Sequence, residues 1–212
     1  AARGTTVHGV ADRLIHGEEV PMPEGLEGYV RSAVAFMDEW AVQPVAVEFT
    51  VWSEAWRWAG TCDLIADLTD PNDPSLTQRW LLDYKTKDKD QGVFGESILQ
   101  LAAYGHGEKM MDADGNESPM LDVDRYGIVQ LRENGTYKLI PIDISGNEYR
   151  IFQYVQAVGA WKEDVARSLV GEALTPPHAM RNYRLVEVAD DAWAAQPMPP
   201  AVPAQPGEEP PF

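Results

Sequence analysis

Apolar residues recur at helical spacing from Gly4 to Gly17, where Val7, Val10, Ala11, Leu14 and Ile15 follow Thr5 and Thr6 as candidate caps. A glycine closes the run, and the spacing predicts a helix of about three turns. A second helical stretch runs from Leu26 to Trp40. Val45–Val51 is then β-rich, and Trp56–Leu68 and Trp80–Thr86 read as two further strands separated by the turn chemistry of Thr69–Ser75. Val93–Met111 returns to helical spacing, with Ile98, Leu99, Ala102 and Ala103 as its apolar face. Tyr126–Arg132 and Tyr137–Ile142 flank Asn134-Gly135, a strong hairpin signal, and Ile151–Leu174 reads as a closing amphipathic helix. The order is helix, helix, three strands, helix, hairpin, helix, which describes an α/β protein.

Composition narrows this picture. The chain has 212 residues, a length that favours a single domain, and 17 basic against 34 acidic residues give a net charge of −17. That excess argues against coating nucleic acid through bulk charge, so any DNA contact must be local. No apolar run approaches the ~18 residues of a membrane span, so no membrane role is expected. The lone Cys62 excludes an internal disulfide and any four-cysteine iron–sulfur or zinc cage, and suits a reducing cytoplasm. After Trp193 the character changes: seven of the last 20 residues are prolines and none is Lys or Arg, so Trp193–Phe212 is expected to be a disordered, Pro-rich acidic tail. The chain opens Ala1-Ala2-Arg3 with neither Met nor a signal peptide, as a fragment or processed form would. Asp112–Glu117 has a faint likeness to a calcium loop, but its glycine stands fourth rather than sixth, and a surface turn is expected.

Two strands carry candidate chemistry. In Asp83-Tyr84-Lys85 the period of two sets Asp83 and Lys85 on one face, with Leu82 and Tyr84 on the other. Alone the tripeptide is weak, since about one acid-x-Lys is expected by chance in this composition. Its neighbour strengthens it: Gly60-Thr61-Cys62-Asp63-Leu64-Ile65-Ala66 places an acid in an apolar run, where burial is costly unless the charge is paired or metal-bound. Two carboxylates on adjacent strands with a lysine beside one suit Mg²⁺ or Mn²⁺, whereas the bland alternative is a cross-strand Lys–Asp salt bridge. His8 lies on the face of the first helix shared by Ala11 and Ile15, and Gln100 and Tyr104 stand four apart on one helix face.

In chain order, Arg3-Gly4-Thr5-Thr6-Val7-His8, Glu48, Gly60-Thr61-Cys62-Asp63, Asp83-Tyr84-Lys85-Thr86 and Gln100-Leu101-Ala102-Ala103-Tyr104 fall on matching elements. Taken together they resemble the PD-(D/E)XK nuclease superfamily, specifically RecB-like exonuclease domains of phage type, over roughly Arg3 to Ile142. The resemblance implies a central mixed β-sheet flanked by helices, the restriction-endonuclease-like core, in one domain over residues 1–190 whose N-terminus is incomplete. It implies that His8, Asp63, Asp83 and the Tyr84 carbonyl ligate Mg²⁺ or Mn²⁺, with Asp63, Asp83 and Lys85 catalytic. Glu48 is implied as an auxiliary acid, Glu54 as a weaker one, and Gln100 and Tyr104 as supporting and DNA-contacting residues. Relatives with an iron–sulfur cluster use four cysteines, so none is expected here.

The activity so implied is hydrolysis of DNA phosphodiester bonds by a metal-dependent exonuclease. It would process ends for recombination beside an annealing protein, in the host cytoplasm if phage-encoded. An inactive recombination scaffold, or a site-specific endonuclease or nickase on the same fold, are the alternatives. Arg79, Lys85, Lys87 and Lys89 cluster beside the proposed metal, and Arg3 and Arg13 lie on the histidine helix, either as a local DNA-binding patch or as solvated charge. Glu208–Phe212 resembles the acidic C-terminal tip of bacterial single-stranded DNA-binding proteins, which implies docking to readers of that tip.

Overall fold

The computed structural model describes residues 2–87 and 92–174. Lys89, the expected tail at 193–212 and its Glu208–Phe212 tip lie outside the described residues. The described residues up to Val170 form one compact unit, and residues 171–174 have no regular structure.

Seven strands form one mixed sheet: β1 (Gln43–Ser53), β2 (Trp58–Thr69), β3 (Thr77–Lys87), β4 (Lys109–Met111), β5 (Glu117–Pro119), β6 (Arg125–Arg132) and β7 (Tyr137–Ile142). Their order is β5-β4-β1-β2-β3-β6-β7. Only β3 and β6 run parallel, joined by a crossover that contains α3 (Gly95–Gly105) and the β4–β5 hairpin. The chain is therefore an α/β domain built on a central mixed sheet with helices on both faces.

Burial explains the layering. Val7 and Ala11 of α1 (Ala2–Ile15) and Tyr29, Ala33 and Phe36 of α2 (Glu27–Glu39) close over Leu64, Leu82, Tyr84 and Val129 on one face. Leu101 and Tyr104 of α3 close over Phe49, Cys62, Ile65, Leu81 and Ile128 on the other. Fully burying one such large apolar side chain stabilises the fold by about 1.5–3 kcal/mol, so sequestering the sheet between these layers is the main folding force. Among the described residues no helix is long and apolar enough to cross a membrane.

Two expected helices differ. The helix expected over Val93–Met111 ends at Gly105, and Lys109–Met111 is a strand paired to β1. A side chain at Gly107 would collide with Val51, so the chain passes too close to β1 for the helix to continue. The closing helix expected over Ile151–Leu174 is α4 (Asn147–Asp164), followed by a 3₁₀ turn over Ala166–Leu169. It starts early because the Glu148 carboxylate accepts hydrogen bonds from the Ser145 N–H and hydroxyl, fixing the entry turn. The Asn134-Gly135 hairpin forms as expected, with Gly135 at φ +82°. Asp112–Asn116 is a turn held by the Asp112 carboxylate, which accepts from the N–H groups of Asp114 and Asn116.

Candidate metal centre at a strand fork

β2 pairs with β1 along its length, but its pairing with β3 runs only from Thr69↔Thr77 to Leu64↔Leu82. Beyond that point β3 continues against β6 alone. The two central strands thus part at Asp63 and Asp83. The Tyr84 N–H, left at the opening, donates to Asp63 Oδ2 at 2.7 Å, so a side chain takes over where the ladder stops.

Glu48 lies opposite Asp63, between the pairs Val47↔Leu64 and Phe49↔Cys62. Its φ of +46° is a left-handed conformation that costs a non-glycine residue of the order of 1 kcal/mol. Across it the pleat changes phase. Val47 and Leu64 belong to the core under α1 and α2, whereas Phe49 and Cys62 belong to the core under α3, although residues two apart in a regular strand share a face. This local twist brings an acid of β1 beside the acid of β2 and under α1, where His8 Nδ1 lies 3.2 Å from Asp63 Oδ1. Ligand atoms of His8, Glu48 and Asp63 all lie within 4.8 Å of one another, a spacing one cation can span.

Asp83 adjoins this trio from β3, its side chain only 5% exposed, with Lys85 Nζ 2.6 Å from Oδ2. The Lys85 ammonium also donates to Gln100 Oε1 at 3.4 Å, and Gln100 Nε2 donates to the Tyr104 hydroxyl at 2.8 Å. Tyr104 is seated on Gly60 of β2: a Cβ there would lie 2.6 Å from its ring. The Tyr84 ring stands between His8 and Phe36, with centroids 5.8 and 6.3 Å away, and so props the imidazole.

The electrostatics are those of a site short of positive charge. Burial and the neighbouring Asp63 charge push Asp83 up to about 6, against the pull of Lys85. Glu48 is raised by burial and by Asp63. For His8, burial opposes protonation, but the Asp63 hydrogen bond and the surrounding carboxylates outweigh it and raise the imidazole. Burial pushes Tyr104 up to about 12, so its hydroxyl stays protonated. Cys62 is fully buried and its thiol is pushed well up by burial and by Asp63, which rules it out as a nucleophile.

The structure thus brings together His8, Glu48 and Asp63, sets Asp83, Tyr84 and Lys85 against them, and links Gln100 and Tyr104 through Lys85. Glu48 is more central than an auxiliary role suggests. The Tyr84 N–H is tied to Asp63, a contact separate from the carbonyl expected as a ligand. Glu54 is not part of the site: it lies in the turn after β1, paired to Lys109 at 2.7 Å. Arg79 is not part of it either, because Asp67 holds its guanidinium through two bonds of 2.9 and 3.2 Å. Arg13 is bonded to Glu18, and Lys87 sits 4.0 Å over the Phe94 ring. Gly60 has a role that was not assigned from the sequence, as the seat of Tyr104. No family model matches this chain, and no curated protein matches it in sequence.

Proposed function

We propose that this protein is a metal-dependent DNA exonuclease of the PD-(D/E)XK kind, hydrolysing phosphodiester bonds in a reducing cytoplasm to process DNA ends beside an annealing protein. The observation that carries this reading is the convergence at one strand fork of Asp63, Asp83, Glu48 and His8 with Lys85 against Asp83. A salt bridge alone would not need a third acid in a left-handed conformation and an imidazole on the same carboxylate. The donors are carboxylate oxygens and one imidazole, a set that suits Mg²⁺ or Mn²⁺.

His8, Glu48 and Asp63 would hold the ion, with Asp83 and the Tyr84 carbonyl at its edge. Such an ion, when bound, lowers the pKa of a water and neutralises a phosphate oxygen. Lys85, steered by Asp83 on one side and Gln100 on the other, orients the attacking water and stabilises the charge that develops on the phosphoryl oxygens. That water's oxygen forms the new bond to phosphorus and its proton is released to solvent, the bond to the leaving sugar oxygen breaks, and the leaving oxygen takes up a proton from solvent. His8 fixes the orientation of Asp63 by its hydrogen bond, as a partner of a ligating carboxylate does.

The reading is tested by incubating linear and covalently closed circular DNA with the protein and Mn²⁺. Nucleotide release from linear DNA with closed circles left intact is expected. Nicked or linearised circles would replace the exonuclease by an endonuclease on the same site.

A further inference from the structure

Beside the carboxylates, the α3 face of the sheet holds a cavity of about 270 Å³ bounded by β2, α3 and α4. Trp58, Leu99, Phe152 and Val155 make its apolar walls, and Glu96 and Gln100 add polar groups. The Trp58 and Phe152 rings meet edge to face, with centroids 5.5 Å apart and planes at 82°, and form an aromatic corner. The cavity has room for a planar ring system.

We infer that this cavity seats one unstacked nucleobase of the strand being cut, so that the substrate is a single strand or a frayed end; this rests on the nuclease reading above. Three observations converge on it. The first is position: Gln100 lines the cavity and also accepts from Lys85, so a nucleotide whose phosphate sits at Lys85 has its base one side chain away. The second is chemistry: an aromatic corner stacks any base, while the Glu96 carboxylate and the Gln100 amide can meet the donors and acceptors of a base edge. The third is charge. On a chain of net charge −17, with Arg13 and Arg79 bonded to acids, phosphate neutralisation supplies little affinity, and stacking is the source of nucleic-acid binding that does not need it. A base paired within a duplex cannot enter such a slot without leaving the stack.

The test uses the full chain with Mn²⁺ and a hydrolysis-resistant, phosphorothioate-linked single strand carrying 2-aminopurine. In parallel, a single abasic site is walked along the strand. One position is expected to show quenching of the 2-aminopurine, and its abasic form to bind about tenfold more weakly than the intact strand. Phe152→Ala should abolish that difference and Phe152→Tyr should keep it, while Val155→Trp, a change at an exposed wall, should fill the slot and abolish it without touching the core. Equal binding at every abasic position of the wild-type protein, or quenching unaltered in Val155→Trp, would overturn the inference. Capture of an aromatic peptide in place of the base would overturn it too. Nucleotide release is read separately on an unmodified strand of the same sequence: release without a base effect removes the base seat and leaves the nuclease reading standing, whereas a base effect without release overturns the nuclease reading and, with it, the assignment of the seated base to a strand being cut.

Discussion

Replacing Asp83 by Asn should make the metal-free protein more stable near neutral pH, although it removes an ion-pair partner. Asp83 is almost wholly buried beside Asp63, and its displacement from 3.8 to about 6 is net of the help that Lys85 gives. The sign follows from proton linkage. A carboxyl whose pKa is raised by folding binds its proton more tightly in the fold, so it favours folding below its unfolded value and that contribution is lost as the pH rises through its folded value. For Asp83 the window runs from about pH 4 to about pH 6. Glu48 and His8 are also raised, so they act in the same direction. Surface acids held low by their hydrogen bonds, such as Asp112 and Glu148, act in the opposite sense and at more acidic pH. A shift of about two pKa units corresponds to an upper figure of about 3 kcal/mol. Urea denaturation with a chelator present should therefore show Asp83→Asn more stable than wild type by about 1–3 kcal/mol at roughly pH 7.5, with about half of the gap gone at roughly pH 5. Adding Mn²⁺ should stabilise wild type more than the variant. A variant that is less stable at neutral pH, or a gap that does not move with pH, would refute the reasoning.

Other outcomes follow from the same geometry. Glu48→Gln and His8→Ala should each weaken Mn²⁺ binding by at least about tenfold in a titration calorimeter, whereas Glu54→Gln should leave it unchanged, because Glu54 is paired to Lys109. Gly60→Ala should displace the Tyr104 ring and break its bond to Gln100, lowering the rate of nucleotide release while circular dichroism remains that of the wild type; an unaltered rate would remove Tyr104 from the supporting chain. Apart from that geometry, the sequence likeness of Glu208–Phe212 to the tip of single-stranded DNA-binding proteins leads us to propose that the chain binds readers of that tip and that deleting these five residues abolishes the binding, measured by anisotropy with a labelled tip peptide as competitor; unchanged binding would end that proposal.

Much of the fold was legible because its signals are local. The α1 spacing, the apolar β1–β3 run and Asn134-Gly135 each depend on neighbours a few residues apart. The β4–β5 hairpin was not, since three-residue strands carry no period and helical spacing runs on through Met110-Met111, although Gly107 before them already passes against Val51. At the site, an acid within the apolar run around Asp63 was a readable signal of pairing or metal binding. The place of Glu48 was not readable: strict alternation would put Val47, Phe49 and Val51 on one face, and only the left-handed turn at Glu48 separates them. Basic residues near in sequence suggested a patch that folding divides, because Arg79 faces Asp67 while Lys85 faces Asp83. The aromatic corner joins Trp58 of β2 to Phe152 of α4, a contact set by tertiary packing alone.

The central claim is that the fork of Asp63 and Asp83, with Lys85 beside it, hydrolyses DNA from its ends. The most direct measurement is nucleotide release from end-labelled linear DNA with Mg²⁺ or Mn²⁺, alongside a chelator control and Lys85→Ala. The account predicts release that needs the metal and falls by at least about a hundredfold in the variant. Release that persists in chelator or in Lys85→Ala, or no release by the folded wild-type protein in either metal, would contradict it.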